Sequence, residues 1–221
     1  RKKIPILVGG TGLYFQSLVN GLVKIPEIPI KFRNKIRLMQ KKEGQKKFYK
    51  KLLKIDPMAK GKFDQNDTQR TIRAFEIKSF TKISMYEWLN NTKSEFKKEE
   101  FLKLYIDFKR EDLIKRISLR STEMIEEGAI KEVKKFIKSK IKKDLTVNRV
   151  IGIDELTQYL TKKINLDQVQ ELISIKTRQY AKRQATWAKS RMSSWEKINP
   201  IKIGDYIKKL KKSSLKLDQL T

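Results

Sequence analysis

The chain of 221 residues carries 53 Lys+Arg against 25 Asp+Glu, a formal charge of +28, and has neither Cys nor His. This composition excludes disulfides, thiolate nucleophiles, imidazole bases and the usual zinc ligands, and leaves any metal to oxygen donors. Such a cation excess points to a polyanion such as nucleic acid, or to an anionic membrane surface. Only twelve of the 53 cations are arginine, however, and a general preference for lysine spreads charge over solvated faces without functional meaning. No apolar run approaches the roughly 20 residues that span a bilayer and no signal peptide opens the chain, so a soluble, cytoplasmic protein without membrane attachment is expected.

In chain order, residues 4–8 form a short apolar run, Gly9-Gly10 a hinge, and Thr11 the start of a helix on which Tyr14, Leu18 and Leu22 share a face. A strand feeding a helix through glycines is the unit of a parallel sheet, and ligands bind at the carboxyl ends of such strands. Two readings of Thr11 stay open, a site residue or a plain N-cap. The chain begins with Arg-Lys-Lys and runs straight into what reads as an interior strand. It is therefore expected to be a fragment without its N-terminal part.

Pro26 and Pro29 impose an extended path, and helical spacing then sets in near 31, with Phe32, Ile36 and Met39 inward and Arg33 and Arg37 on another face. A second amphipathic helix over 45–55 turns Phe48, Leu52 and Ile55 inward and stops at Asp56-Pro57. Asp67 or Thr68 caps a helix that carries Arg70 and Arg73, with Ile72, Phe75 and Glu76 continuing it. Residues 84–89 add a helical turn before a polar loop. The run 101–108, FLKLYIDF, alternates as a strand. A long helix from about 111 carries Arg116 and Arg120, and its Gly128 costs about 1 kcal/mol relative to Ala, which marks a break or a close contact. A basic linker covers 138–143, a turn at Gly152 leads into a short helix, and Asn165 with Gln168 forms a capping box for the last long helix. There Ala181, Ala185, Ala188 and Met192 make a small-residue stripe. A terminal strand over 195–198 and a basic tail from 205 complete the chain.

Three arginine clusters lie on separate helices: Arg70 with Arg73, Arg116 with Arg120, and Arg178 with Arg183. The guanidinium fork holds phosphate bidentately where lysine cannot. Singly, each cluster reads as a solvated face or salt bridge; together with Gly-Gly-Thr they point to a polyanion-binding cleft. No G-x-x-x-x-G-K-[ST] loop occurs in these residues.

Five blocks, PILVGGTGLYFQSLVNGL, DPMAKGKFDQNDTQRTIRAFEI, RSTEMIEEGAIKEV, VIGIDE and TRQYAKRQATWAK, resemble in order the successive blocks of the tRNA dimethylallyltransferases, also called tRNA isopentenyltransferases. The resemblance runs to about Trp195 and is most specific in GGTGLY and TRQYAKRQATW. It implies an α/β fold with a P-loop-NTPase-like parallel sheet core, incomplete in this chain, and a large helical insertion. The corresponding division is 1–30 core strand and helix, 31–100 helical RNA-contact region, 101–120 core strand and helix start, 121–176 helical lobe, and 177–221 core-return helix, terminal strand and tail.

The resemblance further implies transfer of a dimethylallyl group from dimethylallyl diphosphate to N6 of adenosine 37 in the anticodon stem-loop of tRNA, with Mg²⁺, by a monomer. Thr11 would hydrogen-bond the attacking N6, and Arg120 would stabilise the diphosphate leaving group. Arg33, Gln69, Arg70, Thr71, Ile72 and Arg73 would hold the tRNA. So would Arg149 and, on the last long helix, Thr177, Arg178, Gln179, Lys182, Arg183 and Gln184. The family's phosphate loop and its aspartate base are not among these residues, so the fragment is expected to be inactive alone. An RNA-binding module without catalysis and a nucleotide kinase of related fold are the alternatives.

Overall fold

Apolar residues that recur three or four apart bury only as helices, and the computed structural model, which describes residues 5–142 and 145–217, is mainly helical. Contacts divide it into two units, Arg1–Gly12 with Leu102–Thr221, and Leu13–Phe101. No helix of the described residues is long and apolar enough to cross a membrane.

Helix α1 (Gly12–Asn20) opens at the boundary and leads into the second unit, which continues with α2 (Ile30–Glu43), α3 (Gln45–Ile55), α4 (Thr68–Thr81) and α5 (Met85–Asn90). Gly44, at φ 78°, separates α2 from α3 by a backbone conformation that a side chain would strain. The core joins Ile36 of α2, Phe48 and Leu52 of α3, Ala59, and Ala74 and Phe75 of α4, and the Phe48 and Phe75 rings lie 4.7 Å apart. Asp67 caps α4 by accepting from the Arg70 N–H at 3.0 Å. Ile55, the last residue of α3, stands outward instead of joining Phe48 and Leu52.

The first unit contains β1 (Leu104–Ile106), α6 (Arg110–Met124), α7 (Ile130–Lys138), α8 (Ile153–Leu160), α9 (Leu166–Arg191), β2 (Glu196–Ile198) and α10 (Ile203–Leu217). The strands pair in parallel, Leu104 with Glu196 and Ile106 with Ile198. A parallel pair needs a long crossover, which α6 to α9 supply. Between α6 and α7 the helix widens into a π turn, Ile125–Ala129, where Gly128 sits at φ 111°. The break expected at this glycine is there. The capping box at the start of α9 is closed in both directions, each of Asn165 and Gln168 accepting from the other's N–H at 2.9 Å.

Three further sequence expectations are corrected. The apolar run at 5–8 forms no strand; Ile6 and Val8 are 83% and 91% exposed, and no strand among the described residues lies alongside to pair with it. Its first residue, Ile4, lies outside the described residues. The strand expected over 101–108 shortens to three residues, the length that β2 pairs. The small-residue stripe on α9 narrows to its C-terminal end, Ala188 and Met192, while Ala185 is exposed. The basic linker reaches residue 143 and the tail residues 218–221, positions outside the described residues.

Glu155 ties α8 to α9. Its carboxylate is buried, accepts from the Gly152 N–H at 2.9 Å and is ion-paired with Lys176 of α9. Burial pushes its pKa up, but the bonds from Lys176 and the backbone outweigh this and leave it below its ordinary 4.5, while Lys176 is raised above 10.5 chiefly by its bond to Glu155. A lowered folded-state carboxylate pKa gives stability that is present above 4.5 and is lost as pH falls through the folded value. A raised lysine pKa gives stability that is present below 10.5 and is lost as pH rises through its folded value. Glu155→Gln should therefore lower stability at neutral pH by about 2 kcal/mol, the scale of a hydrogen bond to a charged group. Urea melts of the two proteins should converge in acid; an equal gap at neutral and strongly acidic pH would sink the assignment.

Candidate functional site

Thr11 is exposed and sits directly ahead of α1, in the position of an N-cap, yet among the described residues its hydroxyl makes no hydrogen bond. The loop that carries it is held from one side by α9. The Gln184 side-chain amide donates to the Gly10 carbonyl at 2.8 Å. The Trp187 ring lies directly against Gly12, so that a Cβ on Gly12 would overlap the ring and one on Gly10 would overlap the Gln184 amide. Glycine at position 12 is thus a condition of close approach, since the ring is rigid, whereas the Gln184 amide at Gly10 is the end of a flexible side chain. Thr11 between them is the one residue of the three with a side chain.

Helical phase divides the residues expected on α9. Gln184 and Thr177 are seven apart and share the inner face with Ala188. Thr177 donates its hydroxyl to the Ile173 carbonyl at 2.7 Å, so its polar group is committed to the helix itself. Arg178, Gln179, Lys182 and Arg183 are exposed on the opposite face, and the Arg183 guanidinium lies 5.7 Å from the Tyr180 ring centroid. This outer face presents cations that a phosphate backbone can reach.

Arg120 is exposed on α6 and has no ion pair among the described residues. Its helix is locked to α9 by a polar seam next to it, where Ser174 donates to the Ser121 hydroxyl at 3.1 Å and Gln170 donates to Thr122. Arg116, one turn before, stacks over the Phe108 ring at 5.1 Å. Arg149 ends a 3₁₀ turn, Thr146–Arg149, and is exposed.

In the other unit Gln69 and Arg70 are exposed at the start of α4, and Arg70 pairs with Asp67 at 3.4 Å. Thr71 is fully buried; its hydroxyl donates to the Asp67 carbonyl and accepts from Gln45, so it offers no polar group to a ligand. Ile72 packs against the core. Arg33 and Arg73 both face Glu76, a buried carboxylate that in the sequence only continues the helix. The i,i+3 spacing of Arg73 and Glu76 was the available signal for that pair. Among the described residues no three carboxylates gather as a metal cage; Mg²⁺ is ordinarily held by one or two carboxylates together with substrate phosphate oxygens and water.

Residues 1–191 match the model of the family described as IPP transferase. A tRNA dimethylallyltransferase of Pelagibacter ubique is 74% identical over the whole chain, which spans 71% of that relative. One from Rickettsia massiliae is 39% identical over 87% of the chain and 53% of the relative. The crystal structure of a eukaryotic dimethylallyltransferase acting on tRNA superposes with TM-score 0.68 at 34% identity, covering 84% of this chain and 47% of that one.

Gly12→Ala should force the Trp187 ring out of its place at a cost of about 1–3 kcal/mol, the range for overpacking. In a background with Trp88 and Trp195 replaced by Phe, the emission maximum of Trp187 should move while the far-ultraviolet circular dichroism stays unchanged. An unshifted maximum would mean that the ring does not pack on this loop.

Proposed function

The chain belongs to the IPP transferase family, and we propose that it serves in the transfer of a dimethylallyl group from its diphosphate to N6 of adenosine 37 of tRNA. The observation that carries this reading is the Thr11 loop, seated on the inner face of a helix whose outer face is exposed and basic. In the reaction the N6 lone pair attacks the allylic carbon, the carbon–oxygen bond to the diphosphate breaks, and the diphosphate leaves with the electron pair. The N6 proton passes to a base. Thr11, with its hydroxyl unengaged, hydrogen-bonds N6 and fixes its approach. Arg120 meets the charge that builds on the departing diphosphate. The target adenine has to leave the stacked anticodon loop to reach such a hydroxyl.

The phosphate loop and aspartate base that the resemblance calls for are not within the 221 residues. The reading therefore assigns this chain the RNA-holding part of the reaction together with the threonine of the acceptor site. RNA binding without chemistry is the second reading, favoured by the same exposed arginines.

Complementing the chain with the unmatched part of the Pelagibacter ubique relative should yield an enzyme that prenylates an anticodon stem-loop in the presence of dimethylallyl diphosphate. Mass spectrometry of the digested RNA reads the product. Thr11→Ala should lower kcat about 100-fold, the scale for one positioned hydrogen-bonding group, and leave KM for RNA nearly unchanged. Absence of prenyladenosine with an RNA that nevertheless binds would leave the binding reading in its place.

The chain by itself should bind the stem-loop with an affinity that falls steeply as salt rises, because phosphate contacts release counterions. Equal affinity at low and high salt would contradict both readings.

A further inference from the structure

One buried carboxylate gathers three arginines in the unit Leu13–Phe101. Glu76 of α4 has a side chain only 2% exposed, and its oxygens face Arg33 Nε at 3.5 Å, Arg37 Nε at 3.8 Å and Arg73 Nη1 at 3.4 Å. The Arg73 contact is a hydrogen bond. The buried Arg33 Nε and Glu76 Oε1 have no hydrogen-bond partner. Among the described residues no second carboxylate pairs with any of the three arginines.

Donors and charge are both out of balance at this cluster. Three guanidiniums offer about fifteen N–H donors, and one carboxylate has roughly four lone-pair positions. The three arginine side chains remain 36%, 51% and 43% exposed, so their surplus donors are open to solvent or a ligand. A buried carboxylate is strongly unfavourable unless it is paired, so Glu76 depends on the arginines around it. The arginines depend on Glu76 in turn. Arg33 and Arg37 lie one turn apart on α2, Arg73 comes from α4, and three permanent cations converge there only because an anion lies among them.

We propose that Glu76 positions Arg33, Arg37 and Arg73 as a single phosphodiester-binding site for RNA, with Arg37 a direct contact. This rests on the RNA reading given above. Arg33 and Arg37 turn Nε toward the carboxylate and Arg73 uses only Nη1, so Nη donors remain for phosphate oxygens, and a bidentate pair of that kind is geometrically specific. The buried anion thus improves the binding of another anion by fixing where three cations meet.

The sign of one substitution separates this from simple electrostatics. Glu76→Gln removes a negative charge, so charge alone would tighten binding to RNA. A positioning role gives the opposite result. With the full chain and a fluorescent anticodon stem-loop RNA, Glu76→Gln should weaken binding about fivefold, the scale of one lost charge-assisted contact, while affinity for polyuridylate holds or rises. Arg37→Lys keeps the charge, loses the fork and lies at an exposed position that should not disturb folding. It should also weaken stem-loop binding severalfold. Arg37→Ala should lower the slope of log affinity against log salt by about 1. Tighter stem-loop binding by folded Glu76→Gln would overturn the proposal. If Glu76→Gln does not fold, an unchanged affinity for Arg37→Lys overturns it equally. A wild-type chain that fails to bind the stem-loop would overturn the RNA reading as well; wild-type binding with indifferent variants overturns this proposal alone.

Discussion

The contact on which the Thr11 site depends is the grip of α9 on the glycine loop, through the Gln184 amide on the Gly10 carbonyl and the Trp187 ring on Gly12. A loop with exposed apolar neighbours on its N-terminal side has little else to fix it. Because α9 is a continuous helix of 26 residues, whatever fixes its inner face also fixes the direction of its outer one. The inner face engages α6, α8 and the loop, and the outer face carries Arg178, Lys182 and Arg183 into solvent. The position of Thr11 and the presentation of the basic surface are therefore consequences of one helix.

Polar groups in the interior do comparable structural work in both units. Glu155 joins α8 to α9 through Lys176 and the Gly152 N–H, and Glu76 joins α2 to α4 through arginines. Burying a carboxylate costs several kcal/mol that only good partners offset. The two sites differ in what remains afterwards. At Glu155 the nearby groups include a second carboxylate, Asp154, which also faces Lys176. At Glu76 three cations share one anion, and the excess positive charge faces outward.

Much of this was legible in the sequence wherever local chemistry decides the outcome. Asp67 and the Asn165–Gln168 box mark helix starts because short polar side chains satisfy orphan N–H groups. Gly128 marks the π turn because it alone takes φ 111° without strain. The run at 5–8 reads as a strand from its composition, yet strand formation needs a partner ladder that composition cannot supply. The expected site residues separate by phase. Arg178, Lys182 and Arg183 fall on the open face, whereas Thr177 and Gln184 turn inward, a division that their spacing of seven already contains. Glu76 was invisible as an ion centre because its partners Arg33 and Arg37 are about forty residues away in sequence, on another helix.

Arginine footprinting of the full chain with phenylglyoxal, with and without an anticodon stem-loop RNA, tests the central claim most directly. If the outer face of α9 receives the RNA, Arg178 and Arg183 should become protected, while Arg191, exposed at the C-terminal end of the same helix and off that face, and Arg110 keep their reactivity. Protection of Arg191 and Arg110 with Arg178 and Arg183 still reactive would contradict the assignment of the faces.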